Sequence, residues 1–335
     1  MSMKALVYEG PRSMSLREVP VPEPLPDEVL IRVERVGICG SELGGYLGHN
    51  SLRKPPLIMG HEFAGVIERT GDRVSGFQAG DRVTANPLVT CGTCRYCRNG
   101  ESQLCGSRKL LGAHRPGAFA QYAAVPAHNV YRLEENVSFE EGALAEPFAC
   151  AIHVCRMLRL SPTDRLLIYG AGPIGLFALQ AARVYGVREV TIVDLNEARL
   201  EIAGELGGIA VASLDGMAQA GGFDAAIDAV GAEITRQKSV AAVRAGGRVV
   251  FTGLHEADSR LPINEMIRNE VCAKGAFAYS QDDFETALSW IGQGRTNLLP
   301  WAETAPLATG GHCFEKLLSG PGKTAKIFLN PQTEE

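Results

Sequence analysis

The sequence predicts an α/β protein built from a barrel-like β domain and a doubly wound parallel sheet. Three observations support this prediction: the length of 335 residues, a change of texture near residue 150, and a glycine-rich turn between a strand and a helix. A chain of this length exceeds the usual single domain, so about two domains are expected. Hydrophobic residues make up 45% and charged residues 21% of the chain, which argues against intrinsic disorder.

The composition argues against several classes of protein. The net charge of -5 gives no support for nucleic-acid binding through bulk positive charge. No apolar run approaches the ~20 residues that cross a bilayer, and the first residues lack the apolar stretch of a secretory signal. We therefore expect a cytoplasmic protein, in which thiols stay reduced. The nine cysteines then require a role other than disulfide pairing.

Residues 1–150 have the texture of a β domain. Short segments alternate apolar and polar residues and are separated by glycine and proline, which is typical of half-buried strands. These segments lie at 4–10, 28–37, 64–71, 81–89 and 119–126. Together they predict an antiparallel or mixed, barrel-like domain.

From residue 165 to 277 the pattern changes to short apolar strands that alternate with helical stretches. The predicted strands are 166–169, 190–193, 225–229, 249–252 and 271–277. This βαβ pattern is typical of a parallel, doubly wound sheet. An amphipathic helix over 284–291 and a strand over 323–329 follow, and we expect this tail to pair with the first domain. The predicted domains are 1–150, completed by 285–335, and 151–284.

A glycine-rich turn joins the first strand of the second domain to its helix. The GxGxxG motif consists of Gly170, Gly172 and Gly175, with Pro173 and Ile174 between the last two. Such glycines permit a tight turn, a close approach of the backbone to a pyrophosphate, and close packing of the helix on the strand. The helix N-terminus also stabilises phosphate charge. With a strand before it and a helix after it, the motif predicts a dinucleotide site.

Asp194 ends the next predicted strand, at the distance expected for a residue that recognises ribose. A carboxylate there accepts hydrogen bonds from both ribose hydroxyls and repels a 2′-phosphate, so NAD is favoured over NADP. Arg199 follows closely and is a candidate contact for the adenine or a phosphate. The alternative interpretation is that Asp194 only caps the helix that begins near Glu197.

Two later strands end in glycine-containing segments, at 228–231 and 251–254. The carboxyl ends of parallel strands form the ligand crevice of such folds. Val230, Gly253 and Leu254 are therefore candidate contacts for the nicotinamide. Each of them is equally consistent with a simple turn residue.

Four cysteines stand close together in a polar loop. They are Cys91, Cys94, Cys97 and Cys105, in a C-x2-C-x2-C-x7-C pattern. Four thiolates at this spacing predict a closed, tetrahedral structural Zn²⁺ site. Iron–sulfur ligation is the competing interpretation, and a disulfide knot is a weaker one. Four further cysteines have no partner at metal-ligand spacing and are interpreted as buried apolar side chains: Cys150, Cys155, Cys272 and Cys313.

A second group of potential metal ligands is scattered along the sequence, as catalytic ligands usually are. Its members are Cys39, His61, Glu62 and Glu146. Three protein ligands of soft and hard type, with water in the fourth position, make an open Lewis-acid zinc site. Each residue alone also has a structural interpretation: a small buried thiol, a hydrogen-bonded core histidine, or a carboxylate at a helix start.

Several motifs occur in one order along the chain. They are GICGSE, GHEFAG, the four-cysteine loop, GAFAQY, AEPFACAIH, GAGPIG and GKTAKIFL. On these motifs the chain resembles the zinc-dependent medium-chain alcohol dehydrogenases nearly from end to end. The resemblance implies a GroES-like β-barrel domain with the catalytic zinc, a Rossmann domain that binds NAD, and an active site in the cleft between them. The EPFACAIH segment resembles the polyol, galactitol-phosphate, butanediol and threonine branch.

The resemblance also implies roles for individual residues. By position, Cys39, His61 and Glu146 match the ligands of the catalytic zinc. Glu62 matches a carboxylate that can also approach the metal. Ser41 matches the hydroxyl through which the substrate proton leaves.

Two positions depart from the family pattern. Glu42 replaces the more common Asp, which keeps the charge but lengthens the arm that reaches His61. Gly44 stands where some relatives carry the histidine that finishes the proton relay. His49 is a candidate substitute for that histidine, or else a solvated loop residue.

The predicted reaction transfers a hydride between NAD and the secondary alcohol of a polyol, a sugar alcohol, its phosphate or a similar polar alcohol. Two zinc ions per chain are expected, one catalytic and one structural. A threonine or butanediol dehydrogenase is an alternative within the family, and a non-catalytic NAD-binding or structural protein is an alternative outside it. The intact metal-ligand sets argue against a zinc-free reductase of the same fold.

The substrate itself is less well defined by the sequence. Five basic residues lie in segments expected near the substrate: His49, Arg53, Lys54, His114 and Arg115. Arg115 is the preferred candidate for binding an anionic group, and the alternative is that the whole set forms a solvated face. Because related enzymes form dimers or tetramers, we expect a homo-oligomer and favour a tetramer.

Overall fold

The computed structural model describes residues 1–215 and 221–333. Its contacts divide the chain into two compact units. The first unit comprises Met1–Glu146 together with Ser280–Glu335, and the second comprises Pro147–Tyr279. The first boundary between the units falls inside a helix of 20 residues, four residues before the predicted position 150.

The elements are numbered in chain order. The strands are β1 (Ser2–Gly10), β2 (Ser13–Pro20), β3 (Glu28–Gly37), β4 (Leu57–Ile58), β5 (Glu62–Thr70), β6 (Arg82–Ala85), β7 (Leu88–Val89), β8 (Lys109–Leu110), β9 (Tyr122–Pro126), β10 (Val130–Arg132), β11 (Arg165–Tyr169), β12 (Glu189–Val193), β13 (Ile209–Val211), β14 (Phe223–Asp228), β15 (Val243–Phe251), β16 (Cys272–Gly275), β17 (Ala302–Pro306) and β18 (Lys326–Asn330).

The helices are α1 (Gly40–Tyr46), α2 (Arg95–Arg98), α3 (Phe139–Leu158), α4 (Pro173–Val184), α5 (Glu197–Glu205), α6 (Glu233–Ala242), α7 (Ile263–Arg268), α8 (Gln281–Gly292) and α9 (Gly310–Ser319). Short 3₁₀ turns occupy Ser102–Leu104, Ala127–Asn129, Leu299–Trp301 and Leu307–Thr309. Along the described residues, no helix is both long enough and apolar enough to span a membrane.

The first unit is a mainly antiparallel β structure centred on β3. Its largest sheet has the order β10-β6-β5-β3-β18-β17, and β9 also pairs with β3. The inward residues of β3, such as Val29 and Ile31, are fully buried, and burial of each such side chain contributes about 1.5–3 kcal/mol. The tail strand β18 pairs antiparallel with the end of β3 through Phe328 and Leu329, which is where the sequence predicted it to return.

The second unit contains a six-stranded parallel sheet in the order β13-β12-β11-β14-β15-β16. The helices α4, α5, α6 and α7 connect β11 to β12, β12 to β13, β14 to β15 and β15 to β16, which is the doubly wound arrangement predicted from the alternating pattern. The predicted fold class is therefore confirmed for this unit. The central strand β11 is buried on both faces, and Leu166, Leu167 and Ile168 have no exposed surface.

The structure also contains elements that the sequence pattern did not predict. β13 has three residues, which is too short to show a period. The predicted strand 81–89 is divided into β6 and β7, because Pro87 lacks the amide hydrogen that a continuous ladder requires. The tail adds β17 and α9 before β18.

Candidate active site

The register of two strands brings together the residues of the predicted catalytic metal site. Gly37 at the end of β3 pairs with Glu62 at the start of β5. The chain leaves β3 towards Cys39 and enters β5 from His61, so both residues lie at one edge of the sheet. Ligand atoms of Cys39, His61 and Glu62 lie within 4.8 Å of one another.

Glu42 fixes the backbone and the imidazole around this group. Its carboxylate accepts hydrogen bonds from His61 Nδ1 at 2.9 Å, from the Gly60 amide at 2.7 Å and from the Cys39 amide at 3.0 Å. Glu42 is completely buried. Because Nδ1 is occupied by Glu42, Nε2 of His61 is the nitrogen left for a metal. The longer arm of Glu, relative to the Asp usual in the family, therefore still reaches His61.

The pKa shifts of Glu42 and His61 show that their surroundings stabilise positive charge. Burial by itself would raise the pKa of Glu42, but the charge of His61 and their hydrogen bond lower that pKa below its usual value. Burial by itself would lower the pKa of His61, but the negative charges of Glu42 and Cys39 raise it well above its usual value. The group thus attracts positive charge, as a site for a divalent cation requires.

Ser41 lies at the start of α1, beside the thiol. Its hydroxyl donates to Cys39 Sγ at 3.3 Å and accepts a hydrogen bond from Arg53 Nη2 at 3.1 Å. The predicted proton-transfer hydroxyl is therefore in contact with a predicted metal ligand. Arg53, which the sequence left as either a substrate contact or part of a solvated face, is only 4% exposed.

A buried ion pair holds the third member of the group. Lys326 Nζ donates to Glu62 Oε2 and, at 3.1 Å, to the Ile38 carbonyl. Burial would lower the pKa of Lys326, but the charges of Glu62 and Cys39 raise it above its usual value. Glycine at position 37 leaves room for this carboxylate, since a Cβ there would lie 2.6 Å from Glu62 Oε2.

Glu146, the third zinc ligand predicted from the sequence, lies outside the set of ligand atoms within 4.8 Å of one another. It lies in α3, directly before Pro147, and is 8% exposed. Its negative charge contributes to raising the pKa of Lys326. Among the described residues, however, the ligand atoms within 4.8 Å of one another are those of Cys39, His61 and Glu62, without Glu146.

The four-cysteine loop is already folded around a common centre. Ligand atoms of all four cysteines lie within 4.8 Å of one another. The Sγ atoms of Cys91 and Cys97 are 3.9 Å apart, and those of Cys91 and Cys105 are 3.5 Å apart. Zinc–sulfur bonds of 2.3 Å at the tetrahedral angle require about 3.8 Å between sulfurs. The spacing fits a tetrahedral zinc site and exceeds a disulfide bond.

Hydrogen bonds from amide groups, burial and neighbouring thiols shift the pKa values of these cysteines. Hydrogen bonds from the Thr93 and Cys94 amides lower the pKa of Cys91 to about 6. Burial, followed by the contact with Cys94, raises the pKa of Cys97 to about 11. The loop therefore presents thiolate character at one side of the cluster, which favours capture of a metal cation.

The glycine-rich turn lies between β11 and α4 in the second unit. Gly170 has a φ of +101°, which only glycine adopts without strain. A Cβ on Gly175 would lie 1.8 Å from the Gly170 carbonyl oxygen, so this residue must be glycine for the helix to approach the strand. At Gly172, by contrast, the only described atom within 4 Å of a Cβ would be Arg199 Nη1, at 4.0 Å.

Asp194 lies beside this turn, at the end of β12. Its carboxylate accepts hydrogen bonds from the Ala171 amide at 2.6 Å and the Asn196 amide at 2.8 Å. The N-cap of α5 is Asn196, whose side chain accepts from the Arg199 amide. The alternative in which Asp194 itself caps α5 is therefore not what the structure shows.

The ends of β14 and β15 approach each other closely. A Cβ on Gly231 would lie 2.2 Å from the Gly253 carbonyl carbon. Asp228, which is completely buried, accepts hydrogen bonds from the Val230 and Gly231 amides. This arrangement places Val230, Gly253 and the 78% exposed Leu254 at the same carboxyl edge of the sheet as the glycine-rich turn.

The other basic residues considered as substrate contacts are either ion-paired or exposed. Arg115 forms an ion pair with the buried Glu28 at the beginning of β3, whereas the metal-ligand group follows the end of that strand. His49, Lys54 and His114 are exposed. Lys326 is the functional candidate that the sequence analysis missed. The feature that could have identified it is a lysine next to the apolar residues of the closing motif, GKTAKIFL.

The comparisons with known proteins match both units. Residues 25–135 match the alcohol dehydrogenase GroES-like domain, and residues 173–293 match the zinc-binding dehydrogenase domain. An L-idonate 5-dehydrogenase from Vitis vinifera is 33% identical over 308 residues, which cover 87% of this chain and 84% of that protein. A sorbitol dehydrogenase from Bacillus subtilis is 36% identical over 295 residues, which cover 83% of each chain.

Solved structures give the same result. An alcohol dehydrogenase from Escherichia coli CFT073, complexed with NADH, superposes with a TM-score of 0.91 at 29% sequence identity. The match covers 98% of this chain and 99% of that one. The predicted GroES-like and Rossmann domains are thereby confirmed. Since the sequence motifs, both domain families and full-length relatives agree, the chain belongs to the zinc-dependent medium-chain alcohol dehydrogenase family and is an oxidoreductase that acts on CH–OH groups.

Proposed function

We propose that this chain is an NAD-dependent enzyme with two zinc ions, which oxidises a secondary alcohol of a polyol, a sugar alcohol or a related polar alcohol. The observation that carries the proposal is the contact of the Ser41 hydroxyl with Cys39, inside the group formed by Cys39, His61 and Glu62. The names of the relatives, L-idonate and sorbitol dehydrogenases, support a polyhydroxylated substrate.

The donor atoms of the group fit zinc. A thiolate, an imidazole nitrogen and a carboxylate oxygen are ligands that zinc accepts in catalytic sites. Glu42 holds the imidazole with Nε2 free, as a metal-binding histidine requires. We propose Cys39, His61 and Glu146 as its ligands, with Glu62 as an alternative carboxylate. When bound, zinc supplies Lewis acidity that lowers the pKa of the substrate hydroxyl.

The side chains around the metal position transfer the substrate proton and hold the candidate metal ligands in place. Ser41 is placed to relay the proton of the substrate hydroxyl: its oxygen accepts that proton while its own hydroxyl proton passes on to water. The hydrogen bond from Arg53 holds the Ser41 oxygen in position and makes its hydroxyl a better proton donor. Glu42 keeps the Cys39 amide, the Gly60 amide and the imidazole in fixed positions. This preorganisation keeps the candidate metal ligands in place, so that they need no rearrangement as charge develops during the reaction.

The glycine-rich turn fits a nicotinamide dinucleotide. The positive φ accounts for Gly170 and packing accounts for Gly175, whereas a Cβ at 172 would meet, among the described atoms, only Arg199 Nη1, at 4.0 Å. A side chain at 172 would fill the space above the turn where a pyrophosphate approaches the backbone. Asp194 at the end of β12 supports NAD rather than NADP, since its carboxylate repels a 2′-phosphate. When bound, the nicotinamide accepts the hydride.

A substrate screen tests this function directly. Zinc-replete protein is mixed with NAD or NADP and with sorbitol, xylitol, hexonates, polyol phosphates, butanediol, inositol or threonine, and nicotinamide reduction is followed by absorbance. We expect turnover with NAD and at least one polyhydroxylated alcohol, and about two zinc ions per chain by metal analysis. Absence of turnover across the panel with both zinc ions present would contradict the proposal.

The resemblance to oligomeric relatives extends the proposal to assembly. We propose a homo-oligomer and favour a tetramer over a dimer. Size-exclusion chromatography with light scattering measures the mass directly. A mass of one chain at micromolar concentration would contradict this part of the proposal without affecting the chemistry.

A further inference from the structure

Arg53 is a buried cation without a counter-ion beside the site. The residue is 4% exposed, and its guanidinium makes one side-chain hydrogen bond, from Nη2 to Ser41 Oγ. Within the described part of the chain, no carboxylate lies within ion-pair distance of it, and its Nε is buried without a hydrogen-bond partner. Buried charges are normally paired, because an unpaired one loses its hydration without compensation.

The carboxylate whose charge interacts with Arg53 already accepts other hydrogen bonds. Glu42 interacts with Arg53 through its charge, but its oxygens accept hydrogen bonds from His61 and from the Gly60 and Cys39 amides. The positive charge of Arg53 therefore remains available to a group that is not part of the chain.

The unpartnered Nε of Arg53 is next to Nη2, the atom that contacts Ser41. Nε and Nη2 share one edge of the planar guanidinium, and this edge binds planar oxyanions with two parallel hydrogen bonds. Since Nη2 already contacts Ser41, an oxyanion on this edge would lie next to the proton-transfer hydroxyl and therefore next to the reacting carbon.

The chain makes room for this side chain through a glycine. A Cβ on Gly45 would lie 2.4 Å from Arg53 Cδ and 3.3 Å from its Cβ and Cγ. Gly45 is in α1, the same short helix that carries Ser41 and Glu42. The Arg53 stem is thus packed against the helix, which holds its guanidinium in place and reduces the entropy lost on binding a ligand.

We propose that Arg53 binds an anionic oxygen group of the substrate, so that the preferred alcohol is a hydroxy acid or a phosphorylated alcohol rather than a neutral polyol. This inference rests on the proposed function and narrows its substrate class. It assigns to Arg53 the role that the sequence analysis gave to Arg115, which is instead paired with Glu28.

Matched substrates test the proposal. Sorbitol, gluconate and sorbitol 6-phosphate share a carbon chain and differ in the terminal group. We expect the wild type to show a higher kcat/KM for an anionic member than for sorbitol. Arg53→Gln should lower the anionic-to-neutral ratio of kcat/KM about 10- to 100-fold, the usual range for a lost charge-assisted hydrogen-bond pair. A fall confined to gluconate assigns a carboxylate, and one confined to the phosphate ester assigns a phosphate.

Two further variants separate this role from general effects. Lys54→Gln removes the same charge from the adjacent exposed residue and should leave the ratio unchanged. Arg53→Lys keeps the charge but loses the paired donors, and it should retain part of the ratio. If Arg53→Gln lowers kcat/KM for neutral and anionic alcohols by the same factor, Arg53 acts only through Ser41 and the proposal is wrong.

Direct binding separates the proposal from the proposed function. Calorimetry with zinc-loaded protein and NADH measures gluconate, sorbitol 6-phosphate and sorbitol binding without turnover. We expect Arg53→Gln to weaken binding of an anionic member about 10- to 100-fold. Equal affinities of wild type and Arg53→Gln for both anions would overturn the proposal. A wild type that oxidises no alcohol, but binds an anion only when Arg53 is present, would overturn the reaction and support the anion site.

Discussion

At the scale of single residues, the site depends on which carboxylates are already neutralised. Glu42 is satisfied by the His61 imidazole and two amides, and Glu62 is paired with the buried Lys326. Glu62 is the carboxylate closer to Cys39 and His61 in the structure. We retain Glu146 as the preferred third ligand because its position matches the zinc ligand in the family that the chain resembles, and we keep Glu62 as the alternative.

The two carboxylates can be distinguished by metal content. We predict that Glu146→Ala lowers zinc from about two to about one per chain, because a catalytic site with two protein ligands binds zinc weakly. Glu62→Ala should retain most of the second zinc. Mass spectrometric metal analysis after dialysis measures this, and the zinc of the four-cysteine loop serves as an internal standard. The reverse order would identify Glu62 as the ligand.

At the scale of elements, three glycines of one motif have different reasons to be glycine. Gly170 requires its positive φ, and Gly175 allows α4 to lie against β11. Among the described residues Gly172 has neither reason, so we propose that its constraint comes from the cofactor. The motif predicts a turn, a close approach to pyrophosphate and helix packing, and the contacts show which glycine has which reason within the described residues.

The two kinds of glycine predict opposite outcomes for the same substitution. Gly175→Ala should lower the free energy of unfolding by at least about 1–3 kcal/mol, because its Cβ overlaps the Gly170 carbonyl. Gly172→Ala should change the free energy of unfolding by less than about 1 kcal/mol and should weaken NADH binding about tenfold or more. Urea unfolding and NADH fluorescence titration measure the two quantities. A stable Gly172→Ala protein with unchanged NADH affinity would contradict the assignment of this glycine to the cofactor.

At the scale of the whole molecule, the proposed metal ligands and the proposed nucleotide-binding residues belong to different units. The metal-ligand group, Glu146, Ser41 and Arg53 all lie in the first unit, and the glycine-rich turn, Asp194 and Gly253 lie in the second. Each unit has its own buried core. Loss of the catalytic metal is therefore expected to affect chemistry far more than nucleotide binding.

Cys39→Ser tests this separation. The substitution removes the thiolate ligand and should lower kcat by at least about a thousandfold, since the Lewis acid supplies several kcal/mol. The dissociation constant of NADH should change less than about threefold. Loss of NADH binding in this variant would show that the two sites are not independent. Glu101→Gln, an exposed substitution in the four-cysteine loop, is the control for effects of mutagenesis and purification on kcat and NADH binding.

Features that depend on neighbouring residues were predictable from the sequence, and features that depend on distant contacts were not. Motifs local in sequence, such as the glycine-rich turn and the four-cysteine loop, were predictable because neighbouring residues alone fix their geometry. The burial of Arg53 could not be predicted, because the exposure of a basic loop residue depends on which residues pack over it. Nor could the pairing of Lys326, because its partner Glu62 is 264 positions away in the chain.

The sequence by itself determined the fold class and the inventory of candidate ligands, because these depend on periodicity and on spacing along the chain. It indicated the family through the resemblance of its motifs. Only the tertiary structure decided which residues meet. The pairing of Gly37 with Glu62 joins Cys39 to His61, the return of β18 buries Lys326 against Glu62, and Gly45 admits the Arg53 stem beside Ser41. Charge, burial and contact between distant segments arise from packing, and packing is a property of the folded chain.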